Sequence, residues 1–90
     1  MIGILGGGQL GRMLALAGYP LGLSFRFLDP SPEACAGQVG ELVVGEFLDE
    51  GALLRFAEGL ALVTYEFENV PVEAARRLEA TIKQHDLRTI

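Results

Sequence analysis

Two rhythms of hydrophobic positions alternate along this chain. Short, largely apolar stretches at 2–5, 23–28, 41–47 and 61–64 read as four strands, the last extending towards Glu68. Between them, apolar residues recur at helical spacing. Leu10, Met13, Leu14 and Ala17 stand at i, i+3, i+4 and i+7, which predicts a helix that turns this face inward. Gly18 is a plausible stop, with Pro20 just beyond. Ser31-Pro32-Glu33 supplies a cap, a proline for the first helical position and an acid for the first turn, so a short helix is expected there. Asp49 can cap the next helix, whose apolar face is Leu53, Phe56, Ala57 and Leu60. Pro71 opens the last, with Ala75, Leu78 and Ile82 inward and Glu73 near Arg76 and Arg77 outside.

Strands alternating with helices over such short connections imply right-handed βαβ units and a parallel sheet. The expected fold is therefore α/β and Rossmann-like: three layers around a four-stranded parallel sheet ordered 3-2-1-4. That order sets the ends of strands 1 and 4 side by side, near a switch point where ligands bind. Ile4, Leu14, Leu28, Val44, Leu53, Phe56, Val63 and Leu78 are the expected core.

Composition narrows the classes. Ninety residues make one domain at most, and half of them are hydrophobic, enough for a real core. The net charge of −5 is the wrong sign for a nucleic-acid or anionic-membrane surface. With no Trp and scattered basic residues, no stacking surface for single strands is evident either. The single Cys35 excludes an intramolecular disulfide; it fits a reducing cytoplasm and reads as a small buried filler. No targeting segment is expected from the start of this sequence, and it contains no apolar run of membrane-spanning length.

The candidate chemistry begins after the first strand. Gly6, Gly8 and Gly11 satisfy G-x-G-x-x-G in a turn that opens a helix. A helix N-terminus offers unpaired N–H groups and a partial positive charge, and glycines let a ligand approach them. Asp29, at the end of strand 2, stands about where a dinucleotide fold keeps its ribose acid. Three readings stay open: a dinucleotide half-site, a purely structural tight turn, or another ligand at the same terminus. Gln9 sits at the mouth of the helix, where its amide could donate and accept; its plainer reading is a solvated first-turn residue.

A second constellation follows strand 4: Tyr65-Glu66-Phe67-Glu68-Asn69-Val70-Pro71. If the strand persists, period two puts Glu66 and Glu68 on one face, at the carboxyl edge of the sheet. Carboxylates there can hold an amine, an imidazole or hydroxyl groups; the plainer reading is a solvated acidic loop. A metal site is weaker, because no third acid stands nearby and His85 is far along the chain.

Gly-Gly-Gly-Gln-Leu-Gly-Arg-Met after the first strand, with Thr-Tyr-Glu-Phe-Glu-Asn-Val-Pro after the fourth, resembles the N-terminal domain of the N5-carboxyaminoimidazole ribonucleotide synthetases. These are also described as the ATPase subunit of phosphoribosylaminoimidazole carboxylase. Leu28-Asp29-Pro30 followed by Ala36, Gln38 and Val39 agrees, and the likeness covers roughly residues 1–80. The resemblance implies a pre-ATP-grasp domain of an ATP-grasp ligase of purine biosynthesis. Such enzymes activate bicarbonate with ATP and transfer the carboxyl group to the amine of 5-aminoimidazole ribonucleotide. By position it places Gly8, Gln9 and Leu10 beside that ribonucleotide and Glu66 or Glu68 towards its aminoimidazole or ribose. Asp29 becomes a strand-end turn residue, and no NAD is expected. ATP and Mg²⁺ belong, in the family, to an ATP-grasp domain that with the C-terminal domain is not part of this chain. The 90-residue chain is therefore expected to bind no cofactor and to be catalytically incomplete, and a homodimer is possible. Residues 81–90 read as a divergent tail. Rival readings are an NAD(P)-binding module of an oxidoreductase and a standalone interaction domain.

Overall fold

The computed structural model of the chain describes residues 1–65 and 70–84. Four strands, β1 (Ile2–Leu5), β2 (Phe25–Asp29), β3 (Glu41–Val44) and β4 (Leu62–Tyr65), form one parallel sheet in the order β3-β2-β1-β4. The helices are α1 (Gln9–Gly18), α2 (Glu50–Ala57) and α3 (Val72–Gln84). This is the expected topology. Strand 2 starts two residues later than its apolar run, and strand 3 ends at Val44 instead of Phe47. Strand 4 is described to Tyr65; the expected continuation to Glu68 falls on residues outside the described ones.

The two central strands explain the layering. Successive side chains on a strand point to opposite faces, so Ile4 and Phe27 enter one core with Ala15 of α1, Phe25 and Ala36. Leu5 and Leu28 enter the other, with Ala52, Leu53, Phe56 and Ala57 of α2, Leu60, and Ala74 and Leu78 of α3. Continuous apolar runs are the signature of strands buried on both faces. Gly3 lies on the α2 side, where an added Cβ would come within 2.8 Å of the Phe56 ring and run into Leu60. A glycine there is what lets the aromatic ring lie against the strand.

The orientation of α1 differs from expectation. Its buried residues are Gly11, Ala15 and Gly18, while Leu10, Met13 and Leu14 are about half exposed and Ala17 is exposed. The inward stripe is displaced by one residue, about 100° of rotation. Small residues allow a close approach that large ones would prevent: a Cβ on Gly18 would meet the Phe25 ring at 2.5 Å. The leucines consequently flank the seam. Leu14 is thus not core; nor is Val44, 45% exposed on the edge strand β3, and Val63 is only half buried. Ile4, Leu28, Leu53, Phe56 and Leu78 are core as expected.

The segment after Ser31 forms a 3₁₀ turn at Cys35–Gln38, not an α-helix. The Ser31 hydroxyl accepts from the Glu33 N–H and the Ser31 carbonyl from the Ala34 N–H, so the capping signal closes a local turn. Gly37 and Gly40 then favour no continuing helix. Asp49 caps α2 as expected, accepting from the Gly51 N–H at 3.2 Å. On α3 the buried face is Ala74, Leu78 and Thr81, with Ala75 and Ile82 half buried. Its exposed face carries Glu73–Arg77 and Glu79–Lys83 pairs. The Lys83 ammonium, by hydrogen bond and then by charge, holds the Glu79 carboxyl below its ordinary value; a pair this exposed adds little stability.

Arg26 joins three elements. From β2 it pairs with Glu41 of β3 at 2.7 Å and donates to the carbonyls of Phe56, at 2.9 Å, and Glu58 at the end of α2. A cation there satisfies carbonyls that the helix itself leaves unpaired. Arg26→Met should therefore cost roughly 2 kcal/mol, and Glu41→Gln, which removes only a solvated ion-pair partner, less than about 1 kcal/mol. Urea unfolding of both variants measures the ranking; equal losses would place the stabilisation in the ion pair. For α1, Ala15→Leu should overfill the seam and cost about 1–3 kcal/mol. Leu14→Ala should cost less than about 1 kcal/mol. A larger loss for Leu14→Ala would mean that the leucine face is the one turned inward.

Candidate functional site at the glycine turn

The site is built at the carboxyl ends of β1 and β4, which are neighbours in the sheet, Leu5 opposite Tyr65. From β1 the chain passes through α1 on one face to β2. From β3 it passes through α2 on the other face to β4. The strand order thus reverses at β1, the kind of point where open α/β sheets bind ligands.

Gly6 leaves β1 with φ 99°, a conformation that side chains disfavour, and its N–H still bonds to the Leu28 carbonyl at 2.8 Å. Gly7 is held on both sides. Its N–H donates to Asp29 Oδ2 at 2.9 Å, and its carbonyl accepts from the Ala36 N–H at 2.9 Å. A Cβ on Gly7 would crowd Ala34 and Asp29 at 3.1 and 3.2 Å. Gly8 is the N-cap of α1, in extended conformation, and its carbonyl accepts the Arg12 N–H at 3.0 Å. The N–H groups of Gln9 and Leu10, in the first turn, have no acceptor within the helix. Both residues are exposed, and no acidic side chain stands in that turn to compete for an anionic or acceptor ligand.

Gly8, Gln9 and Leu10 are therefore brought together on one accessible edge. Glu66 and Glu68 lie outside the described residues, as does His85. Two partners of the site were not legible in its motif. Cys35, expected as a buried filler, is only half buried, and its Sγ stands 3.5 Å from Gln9 Oε1 and 3.8 Å from the Gly7 carbonyl oxygen. Asp29 Oδ1 accepts the Ser31 N–H at 2.9 Å while Oδ2 holds Gly7, so both oxygens serve the turn. The Asp-Pro-Ser sequence signals the local half of that arrangement; nothing local signals the half that spans 22 residues.

Among the described residues no group of His, Cys, Asp and Glu could hold a metal ion, and no helix is long and apolar enough to cross a membrane. Two clefts, of about 460 and 310 Å³, line the two faces of β4. Their walls are dominated by aliphatic side chains and neither includes Gly8, Gln9 or Leu10, so the donor set at the turn is the better candidate for a polar ligand.

Comparison with known proteins assigns the domain. The family model described as "Ribonucleotide synthetase preATP-grasp domain" matches residues 1–85. The N5-carboxyaminoimidazole ribonucleotide synthase of Pseudomonas aeruginosa is 57% identical over 72 residues, covering 80% of this chain and 20% of that protein. The crystal structure of the N5-carboxyaminoimidazole ribonucleotide synthetase from Thermus thermophilus superposes with TM-score 0.85 at 90% identity, covering 99% of this chain and 23% of that one. The Staphylococcus aureus N5-carboxyaminoimidazole synthetase complexed with ADP gives TM-score 0.78 at 32% identity, covering 98% and 22%. The chain spans about a fifth of the length of the curated relatives it matches. With its order β3-β2-β1-β4 and its glycine turn at the reversal point, the chain belongs to the ribonucleotide synthetase preATP-grasp domain family.

Proposed function

We propose that this chain is the substrate-side N-terminal domain of an ATP-dependent carbon–nitrogen ligase that carboxylates 5-aminoimidazole ribonucleotide with bicarbonate, in purine biosynthesis. The observation that carries the reading is the exposed first-turn donor pair at Gln9 and Leu10, next to Gly8, set at the reversal point of a sheet that matches this family. In this reading the first-turn N–H groups donate to the ribonucleotide, and Gly8 keeps the approach clear of a side chain. The Gln9 carboxamide, with its oxygen towards Cys35, has its NH₂ left to donate. Glu66 and Glu68, which follow β4 in the sequence, accept from the aminoimidazole amine or the ribose hydroxyls. Bound elsewhere in the full-length enzyme, ATP with Mg²⁺ supplies the activation of bicarbonate. The domain described here binds and orients the acceptor and does not by itself complete the reaction. In this reading the setting is the cytoplasm.

The reading against NAD(P) rests on Asp29. A dinucleotide fold uses the acid at the end of its second strand on the ribose; here both carboxylate oxygens are engaged by Gly7 and Ser31. NADH titration followed by its fluorescence should accordingly give no saturable change, and saturable binding would favour the oxidoreductase reading. The decisive kinetics use a full-length homologue. Glu→Gln at the positions matching Glu66 and Glu68 should weaken productive ribonucleotide binding about tenfold to a hundredfold at the acid that contacts it, with ATP binding little altered. Wild-type kinetics for the ribonucleotide in both variants would make the acids a solvated turn.

A further inference from the structure

We infer that Asp29 is a positioning residue for the ligand edge, acting through the Gly7 peptide and not by touching the ligand. The inference rests on the reading of Gly8, Gln9 and Leu10 as a ribonucleotide edge and adds to it the element that sets their geometry. Three consecutive glycines are the freest backbone a chain can have, so a donor edge that follows them needs an external constraint. Asp29 supplies it from the sheet. Its backbone is paired with Val44 of β3, and its carbonyl accepts the Gly45 N–H at 3.1 Å. Its side chain, rooted there and half buried, takes the Gly7 N–H at 2.9 Å through Oδ2. The Ala36 N–H holds the next peptide along, 2.9 Å from the Gly7 oxygen. Gly7 is thereby fixed to the sheet on one side and to the Cys35–Gln38 turn on the other, one residue before the N-cap of α1. A donor edge held in place before the ligand arrives loses less freedom on binding.

The two oxygens of Asp29 do different work, which makes the inference separable from a plain loop role. Oδ1, on the Ser31 N–H, closes the local turn after β2; Oδ2 alone reaches the glycine turn. Asp29→Asn can keep the local turn, because an asparagine oxygen accepts equally well there. It then presents an NH₂ to the Gly7 N–H, donor against donor.

The test is made at the matching positions of the full-length Thermus thermophilus relative, with Gln9→Ala as the arm that touches the site directly. Asp29→Asn should raise KM for 5-aminoimidazole ribonucleotide roughly tenfold, leaving KM for ATP and the melting temperature close to wild type. Parallel loss of ATP use and of melting temperature would make Asp29 a structural residue only and overturn the inference. If Gln9→Ala raises the ribonucleotide KM and Asp29→Asn does not, the inference fails alone; if neither does, the site reading itself fails. Hydrogen exchange on the wild-type 90-residue chain gives a check that needs no variant. The Gly7 amide should be protected, and exchange at the rate of an open loop would overturn the clamp.

Discussion

Everything at this site depends on Gly7 being hydrogen-bonded through both its N–H and its carbonyl. Gly6 turns the chain out of the sheet and Gly8 starts α1, but neither glycine specifies a direction; they only permit one. Direction comes from the Asp29 carboxylate and the Ala36 N–H, which hold the peptides before and after the Gly7 Cα. Asp29 ends β2 and Ala36 lies in the connection that follows it, so the glycine turn is shaped by residues more than twenty positions away in sequence. The conformational freedom of the glycines is thereby confined to one turn geometry.

The same logic of close approach runs through the sheet. Gly3 lets Phe56 and Leu60 lie on β1 from one side. On the other side Gly11, Ala15 and Gly18 bring α1 down onto the Ile4–Phe27 layer. β1 is thus packed on both faces and paired on both edges, and the turn that leaves it starts from a fixed point. The Arg26 bridge fastens the opposite end, where β2, β3 and the last carbonyls of α2 meet.

The sequence made the topology legible because parallel order follows from alternation and short connections, and those are local signals. The Asp49 cap and the Leu53–Phe56–Ala57 face were legible for the same reason: each is a pattern within one helix. The rotation of α1 was not. Periodicity marks the face richest in large apolar residues, whereas the seam here selects the smallest side chains, one position along. The 3₁₀ turn at Cys35–Gln38 was misread because the Ser31 signal is shared by helices and local turns. At the site, the motif singles out Gly8 and Gln9 as candidates, and the ligand proposed for them rests on the family resemblance. The grip of Asp29 on Gly7 and the place of Cys35 beside Gln9 are tertiary contacts with no mark in local spacing. Glu66 and Glu68 rest on sequence and family likeness.

The central claim is that the edge formed by Gly8, Gln9 and Leu10 receives the ribonucleotide. Its most direct test is a crystal structure of the full-length Thermus thermophilus relative with 5-aminoimidazole ribonucleotide bound. The account predicts ligand oxygen or nitrogen atoms at hydrogen-bonding distance, about 3 Å, from the first-turn N–H groups of the matching helix, with a carboxylate matching Glu66 or Glu68 on the same ligand. A bound ribonucleotide that makes no contact with either segment would contradict it.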